Sequence, residues 1–187
     1  IEKMIKAIKD YDAIQGFEEA ISDDFWSRHR RITLLEKFER MKKNEIIGRI
    51  DTKNFAIKKY VLKKIGFTGR KYFSGNDTDL SIKLARNNCK VRFLRQVRVK
   101  HFHPNSLKKV MKKQIYRARW TAIITHDNKD FLKNTNFLKE TTQTPWAFIK
   151  FFPGLIGTII RRGLKYTYYD FIIGIFWRIG LLRAYFE

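Results

Sequence analysis

Between residues 77 and 104 the spacing of apolar residues changes from a helical to a strand period, and this transition narrows the choice of fold more than any other feature. In DTDLSIKLARNN, Leu80, Leu84 and Ala85 recur near the helical period, and Asn87 and Asn88 tolerate the left-handed conformation of a helix end. In KVRFLRQVRVKHFHP, Val91, Phe93, Val97 and Val99 occupy one side of an alternating run with arginines on the other, which predicts a half-buried strand ended by Pro104. A strand-like run, DAIQGF, ends at a glycine upstream, and Ser106 opens a helix whose apolar stripe is Leu107, Val110, Met111, Ile115, Ala118 and Ala122. These elements in this order predict an α/β fold.

The intervening segments read less sharply. DDFWSRHRRITLLEKFERMKK is a helix, or an extended loop leading into one, with Ile32, Leu35 and Phe38 at helical spacing. A polar turn at Asp51 to Asn54 precedes a short helix carrying Tyr60 and Leu62 and stopped by Gly66, and FTGRKYFSG follows as a loop. The opening stretch, IEKMIKAIKDYDAIQGF, begins without methionine and without a signal-peptide core, so the sequence is expected to start inside a domain.

Composition decides which partners are plausible. A hydrophobic fraction of 44% argues for a packed core, while 40 Lys and Arg against 18 Asp and Glu give a net charge of +22. Such a surface is drawn to phosphate-rich material: nucleic acid, anionic lipid headgroups or nucleotide diphosphates. The single cysteine, Cys89, excludes an internal disulfide framework or a cysteine zinc site, and a reducing, cytosolic setting is the default expectation.

After about residue 140 the chain becomes rich in Phe, Ile, Tyr and Trp with sparse basic residues. Lys150 and Pro153 interrupt the first apolar stretch and Arg178 and Arg183 the second, so neither reaches the roughly 20 uninterrupted apolar residues of a spanning helix. The favoured reading is amphipathic helices lying in a membrane interface. The alternatives are helices packed on a partner domain and a marginal transmembrane hairpin.

Four groups of residues could carry chemistry. Asp77 and Asp79 open the helix after Gly75, where carboxylates suit the orphan N–H groups and the helix dipole. The same position would let one of them accept a proton from a substrate hydroxyl. His101 and His103 lie two apart at a strand end and so face one way, either as a solvated pair or as a metal ligand. Asp10-Tyr11-Asp12 has the form of a DxD metal motif but precedes an apolar strand rather than lying in a loop. KKQIYRARW interleaves basic and aromatic residues, yet the sequence contains no helix-turn-helix spacing, RNP sequence or zinc knuckle, and no nucleic-acid partner is expected.

In order, DAIQGF, DTKNFAIKKYVLKKIGF, GNDTDLSIKLARNNCKVRFL and VRVKHFHPNSLKKVMKKQIYRAR resemble the C-terminal half of a family 2 glycosyltransferase with a GT-A, Rossmann-like fold. The resemblance covers roughly residues 7 to 126. It implies residues 1–126 as the acceptor-side half of a catalytic domain and 127–187 as a linker with membrane-associated amphipathic helices. Asn54 stands at the asparagine of the family's TGN-like turn, and Asn76-Asp77-Thr78-Asp79-Leu80 matches its (E/D)D.DL motif, with asparagine in the first acidic place.

By that match Asp77 is the general base, and Asn54, Gly75, Asn76 and Asp79 lie on the acceptor side. His101, and more weakly His103, would ligate the catalytic Mg²⁺ or Mn²⁺. Arg70, Arg117 and Arg119 would face phosphates. The implied activity is inverting, metal-dependent transfer from a nucleotide-sugar donor to a glycan or lipid-linked acceptor at the cytoplasmic face of the membrane, with the donor-binding half preceding residue 1. Gln114-Ile115-Tyr116-Arg117 suggests a processive polymerase only weakly, because Ala118 stands where a QxxRW motif has tryptophan. A non-enzymatic basic module that binds membrane or nucleic acid is the competing reading.

Overall fold

The apolar run at 13–20 and the alternating run at 91–101 pair as parallel strands, and the remaining elements pack around that pair. The computed structural model describes residues 2–41, 50–69, 71–134 and 151–186. Helix α1 (Glu2–Ala7) leads into β1 (Ala13–Ala20), followed by α2 (Phe25–Met41). A 3-10 turn (Thr52–Asn54) then enters β2 (Phe55–Ile57), α3 (Lys59–Lys64) and α4 (Asn76–Arg86). Strand β3 (Val91–His101), α5 (Leu107–Asp127), α6 (Lys129–Lys133), α7 (Phe151–Arg162) and α8 (Leu164–Phe186) complete the order. The sheet is mixed: β1 lies between an antiparallel β2 and a parallel β3. The protein is therefore a mixed α/β fold, and the helix, strand and helix expected at 77–88, 90–104 and 106–128 all form.

Both faces of β1 are covered, and even its polar Gln15 and Glu18 are buried. On one face Ala13 and Phe17 join Leu34 and Phe38 of α2, Val61 of α3, Leu80 and Leu84 of α4, and Val91 and Phe93 of β3. Phe38 is the largest side chain removed completely from solvent, with its ring 4.5 Å from Phe17 and stacked 5.2 Å from Phe93. On the other face Ile14 and Leu94 pack with Met4, Ala7 and Ile8. The segment at 23–43, open between helix and loop from sequence, is helical from Phe25, with Asp24 accepting from the N–H groups of Trp26 and Ser27.

Two strand expectations change. Strand β1 continues past Gly16 to Ala20, because this glycine permits a close approach rather than a stop. A Cβ there would meet Val97 O at 2.6 Å and the Asn54 amide closer still. Strand β3 does not keep Val91, Phe93, Val97 and Val99 on one side: its pairing with β1 shifts between Gly16 and Phe17, and Val97 packs with the Met4–Ile14–Leu94 cluster instead. An irregularity of this kind resets the alternation of faces along the strand. The short β2 lies in the segment read as turn and helix, too brief for a periodic signal.

The tail packs on this chain itself. Helix α8 runs along α5 with Tyr166, Thr167, Tyr169, Ile172, Gly180 and Leu181 buried. Thr33 and Tyr166 share a 2.9 Å hydrogen bond between hydroxyls, and the rings of His29 and Tyr169 stack at 5.5 Å, which join α8 to α2. Helix α7 differs, with no buried residue and with Phe152, Ile156, Ile159 and Ile160 exposed. Among the described residues no helix is long and apolar enough to cross a membrane.

At Gly180 a Cβ would press on the Ile115 carbonyl and lie 2.7 Å from the Ala118 Cβ. Gly180→Ala should therefore cost about 1–3 kcal/mol by overpacking, despite alanine's better helix propensity, as measured by urea unfolding. An unchanged midpoint would mean that α8 does not dock on α5 in solution.

Candidate functional site

Ligand sites in sheets of this kind form at the carboxyl ends of parallel strands, and here those ends bring three ligating side chains together. Glu18 near the end of β1, His101 at the last position of β3 and His103 two residues on have side-chain ligand atoms within 4.8 Å of one another. Glu18 is 1% exposed. Its Oε2 accepts a 3.1 Å hydrogen bond from Lys53 Nζ, which also binds both carboxylate oxygens of Asp51 at 2.9 and 2.7 Å. Burial alone would raise the Glu18 carboxyl, but contact with His103 and the Lys53 ammonium override it and hold the group well below the usual carboxylate range.

The remaining faces of Glu18 and His103 are unsatisfied. Glu18 Oε1 and His103 Nε2 lie 3.2 Å apart, an ion pair only when the imidazole is protonated, and neither buried atom has a hydrogen-bond partner. Donor atoms about 2.1 Å from a common ion and at right angles to each other are about 3 Å apart, so this separation suits two neighbouring ligands of a divalent cation. Burial also lowers the pKa of His101, which favours the neutral imidazole that binds metal. Two imidazoles and one carboxylate fit a first-row transition ion such as Mn²⁺ better than Mg²⁺, which prefers an all-oxygen shell.

His103 and Lys53 also border a cleft of about 400 Å³. Asp77 lines it at the start of α4, beside Gly75 and Asn76. Gly75 is required here: it holds φ +80° as the residue before the helix, and a Cβ would lie 2.6 Å from Ile124 Cδ1. Asp77 Oδ1 accepts from the Thr78 N–H at 3.0 Å. Across the cleft stand Arg30 of α2 and Lys113 and Arg117 of α5, with Tyr169 of α8 completing the wall. None of these three cations has a carboxylate partner among the described residues. Burial first, and then the neighbouring charges of Arg117, Lys53 and Arg30, push the Lys113 ammonium below its ordinary pKa.

Of the residues singled out from sequence, Asp77, Gly75, Asn76, His103 and Arg117 line the cleft, and His101 joins His103 behind it. Asn76 Oδ1 is buried without a hydrogen bond. Asp79 is buried and pairs with Lys83 at 3.4 Å, so the two carboxylates of the motif separate into one on the cleft and one inside the helix packing. Asn54 does not line the cleft: its amide donates to Phe17 O and Val97 O, both at 3.0 Å. Arg119 lies over the Trp120 ring and outside the cleft, and Arg70 falls outside the described residues. Asp12 of the DxD-like triplet accepts from the Lys90 N–H at 2.7 Å, an anchor between β1 and the start of β3.

Glu18, Lys53, Asp51, Arg30 and Lys113 escaped the sequence reading. Glu18 offered little signal, because it stands beside Glu19 in the same strand and sequence alone does not say which of the two is buried. No protein-family model matches the chain, and no curated protein matches it.

Asn54→Ala would leave the Phe17 and Val97 carbonyls without their donor and should cost about 1–3 kcal/mol in chemical unfolding. Undiminished stability, with loss confined to substrate binding, would instead make Asn54 a ligand contact.

Proposed function

We propose that this protein is an inverting glycosyltransferase of the GT-A class, with the cleft bordered by Asp77 holding the acceptor hydroxyl and the diphosphate of a nucleotide-sugar donor. The observation that carries the reading is one cleft in which a carboxylate at a helix start faces cations that lack counter-ions, beside a Glu–His–His cluster. Proton transfer and a departing anion need these opposite charges close together. The competing reading, a basic binding module, needs the cations and leaves Asp77 only its place in the first turn of α4, where it accepts from the Thr78 N–H.

In the proposed reaction the acceptor oxygen attacks the anomeric carbon as the bond from that carbon to the diphosphate oxygen breaks. The leaving oxygen keeps the bonding electrons, and Asp77 takes the hydroxyl proton. Attack opposite the leaving group inverts the anomeric centre. Arg30, Lys113 and Arg117 bind the diphosphate and favour the state in which its charge has grown. A divalent cation held by Glu18, His101 and His103 would supply Lewis-acid stabilisation of the same oxygen.

Asp77→Asn in the complete gene product should lower transfer by about 10²- to 10⁴-fold while leaving nucleoside-diphosphate binding intact. Lys113→Ala should do the reverse, weakening that binding. Transfer unaffected by the loss of Asp77 would remove the proposed base.

A membrane-borne acceptor is favoured by α7, whose exposed Phe152, Ile156, Ile159 and Ile160 are followed by Arg161, Arg162 and Lys165. Apolar residues at the acyl boundary with cations at the headgroups describe an interfacial helix, peripheral on the cytoplasmic leaflet. The protein should float with vesicles containing anionic phospholipid, and Ile156→Asp with Ile160→Asp should abolish flotation without lowering thermal stability; flotation that survives both changes would place the contact elsewhere.

A further inference from the structure

Lys53 stands between the two halves of the site. Its ammonium is one of the cleft cations, yet its bonds point backward, to Glu18 Oε2 and to both oxygens of Asp51. Its side chain is 28% exposed while those of Glu18 and Asp51 are 1% and 11%, so the lysine is the member of the trio that can leave. Glu18 cannot be left with both oxygens uncompensated in its buried position. A divalent cation reaching Glu18, His101 and His103 would meet the Lys53 charge on the same carboxylate and be repelled by it.

We propose that Lys53 is the resident counter-cation of the Glu18–His101–His103 cluster, and that an anion entering the cleft draws it forward, so that anion and metal binding reinforce each other. This rests on the reading of that cluster as a metal site. The anchor favours the motion: Asp51 caps the 3-10 turn by accepting from the Lys53 N–H at 3.2 Å, and its own N–H is held by Gln15 Oε1. The backbone stays fixed while the four-carbon side chain turns. Arg30, Lys113 and Arg117 already concentrate anions at the place to which the ammonium would move. When the metal takes Glu18, Lys53 keeps only Asp51 and gains from an anion in the cleft; when an anion draws Lys53 away, Glu18 needs a new cation. Reciprocal enhancement of the two affinities is the thermodynamic consequence.

The test uses Mn²⁺ with sulfate as the anion, followed by the electron paramagnetic resonance of free Mn²⁺ over the purified full chain, with chloride controls at equal ionic strength. Sulfate should tighten Mn²⁺ binding by about fivefold or more in the wild type. Lys53→Met should bind Mn²⁺ about tenfold tighter in chloride and lose the response to sulfate. A wild type indifferent to sulfate, or a Lys53→Met protein that binds no more tightly, overturns the proposal. Should that variant fail to fold, amine labelling of the wild type serves: Lys53 should react faster once Mn²⁺ and sulfate are both present, and an unchanged rate overturns it. Glu18→Gln separates the two levels. Mn²⁺ binding that is absent throughout, or that persists at full strength in Glu18→Gln, defeats the metal reading itself, whereas binding that depends on Glu18 but not on Lys53 defeats this inference alone.

Discussion

The site depends on one irregularity between two parallel strands. Up to Gly16 the pairing runs Gly16 opposite Leu94, and from Phe17 onward it runs Phe17 opposite Arg98, so three residues of β3 are taken up between successive residues of β1. Without that shift Glu18 would stand opposite Gln96 rather than Val99, and His101 would be displaced along the strand by about 10 Å. The metal-like cluster exists because the strands slip. Asn54 holds the slip in place from the side, giving its amide hydrogens to one carbonyl of each strand, and Gly16 leaves the room that this requires. The asparagine of the motif thus acts on the cluster without touching it.

The charge of the chain explains the rest of the arrangement. At +22 the surface can spare few carboxylates, and those at the site are each placed against a specific need. Glu18 and Asp51 share one lysine, Asp79 is tied to Lys83, and Asp77 opens on the cleft. In the same cleft, burial and the like charges of Arg117, Lys53 and Arg30 disfavour the Lys113 ammonium, and an entering anion would relieve that repulsion. In a partly buried cleft such interactions are several times stronger than at the open surface. The carboxylate and the cations thus line one cleft without pairing with each other.

The elements that sequence made legible were those long enough for their period to be counted: α4, β3 and α5 each carry several repeats of one spacing, and each forms within a residue or two of the expected ends. The three residues of β2 offered no period to count. Local spacing also found the chain-local part of the site, because Gly75 to Asp77 and His101 to His103 are neighbours in sequence. It missed the partners supplied from afar. Glu18 meets His103 across 85 positions and Lys53 across 35, and Arg30 and Tyr169 arrive from helices on opposite ends of the chain. Such juxtapositions follow from the strand slip and from the docking of α8, neither of which leaves a periodic trace. The tail shows the same limit: its richness in aromatic residues was read as one interfacial property, but two helices divide it, one inward and one outward.

That division bears on how the cleft is joined to the exposed helix. Tyr168 and Tyr169 are adjacent on α8, yet Tyr169 is buried on the cleft wall and Tyr168 is half exposed. One helix therefore presents one face to the site and another to the surroundings. Burial pushes the Tyr169 phenol up to about 12, so it remains a neutral donor at any physiological pH and adds no negative charge beside the cations. Gly163, at φ +79°, makes the sharp turn between α7 and α8, so the exposed apolar helix and the helix that forms the wall are joined through a single residue. If α7 lies in a bilayer interface, the cleft is held close to the headgroups by that joint rather than by a long linker.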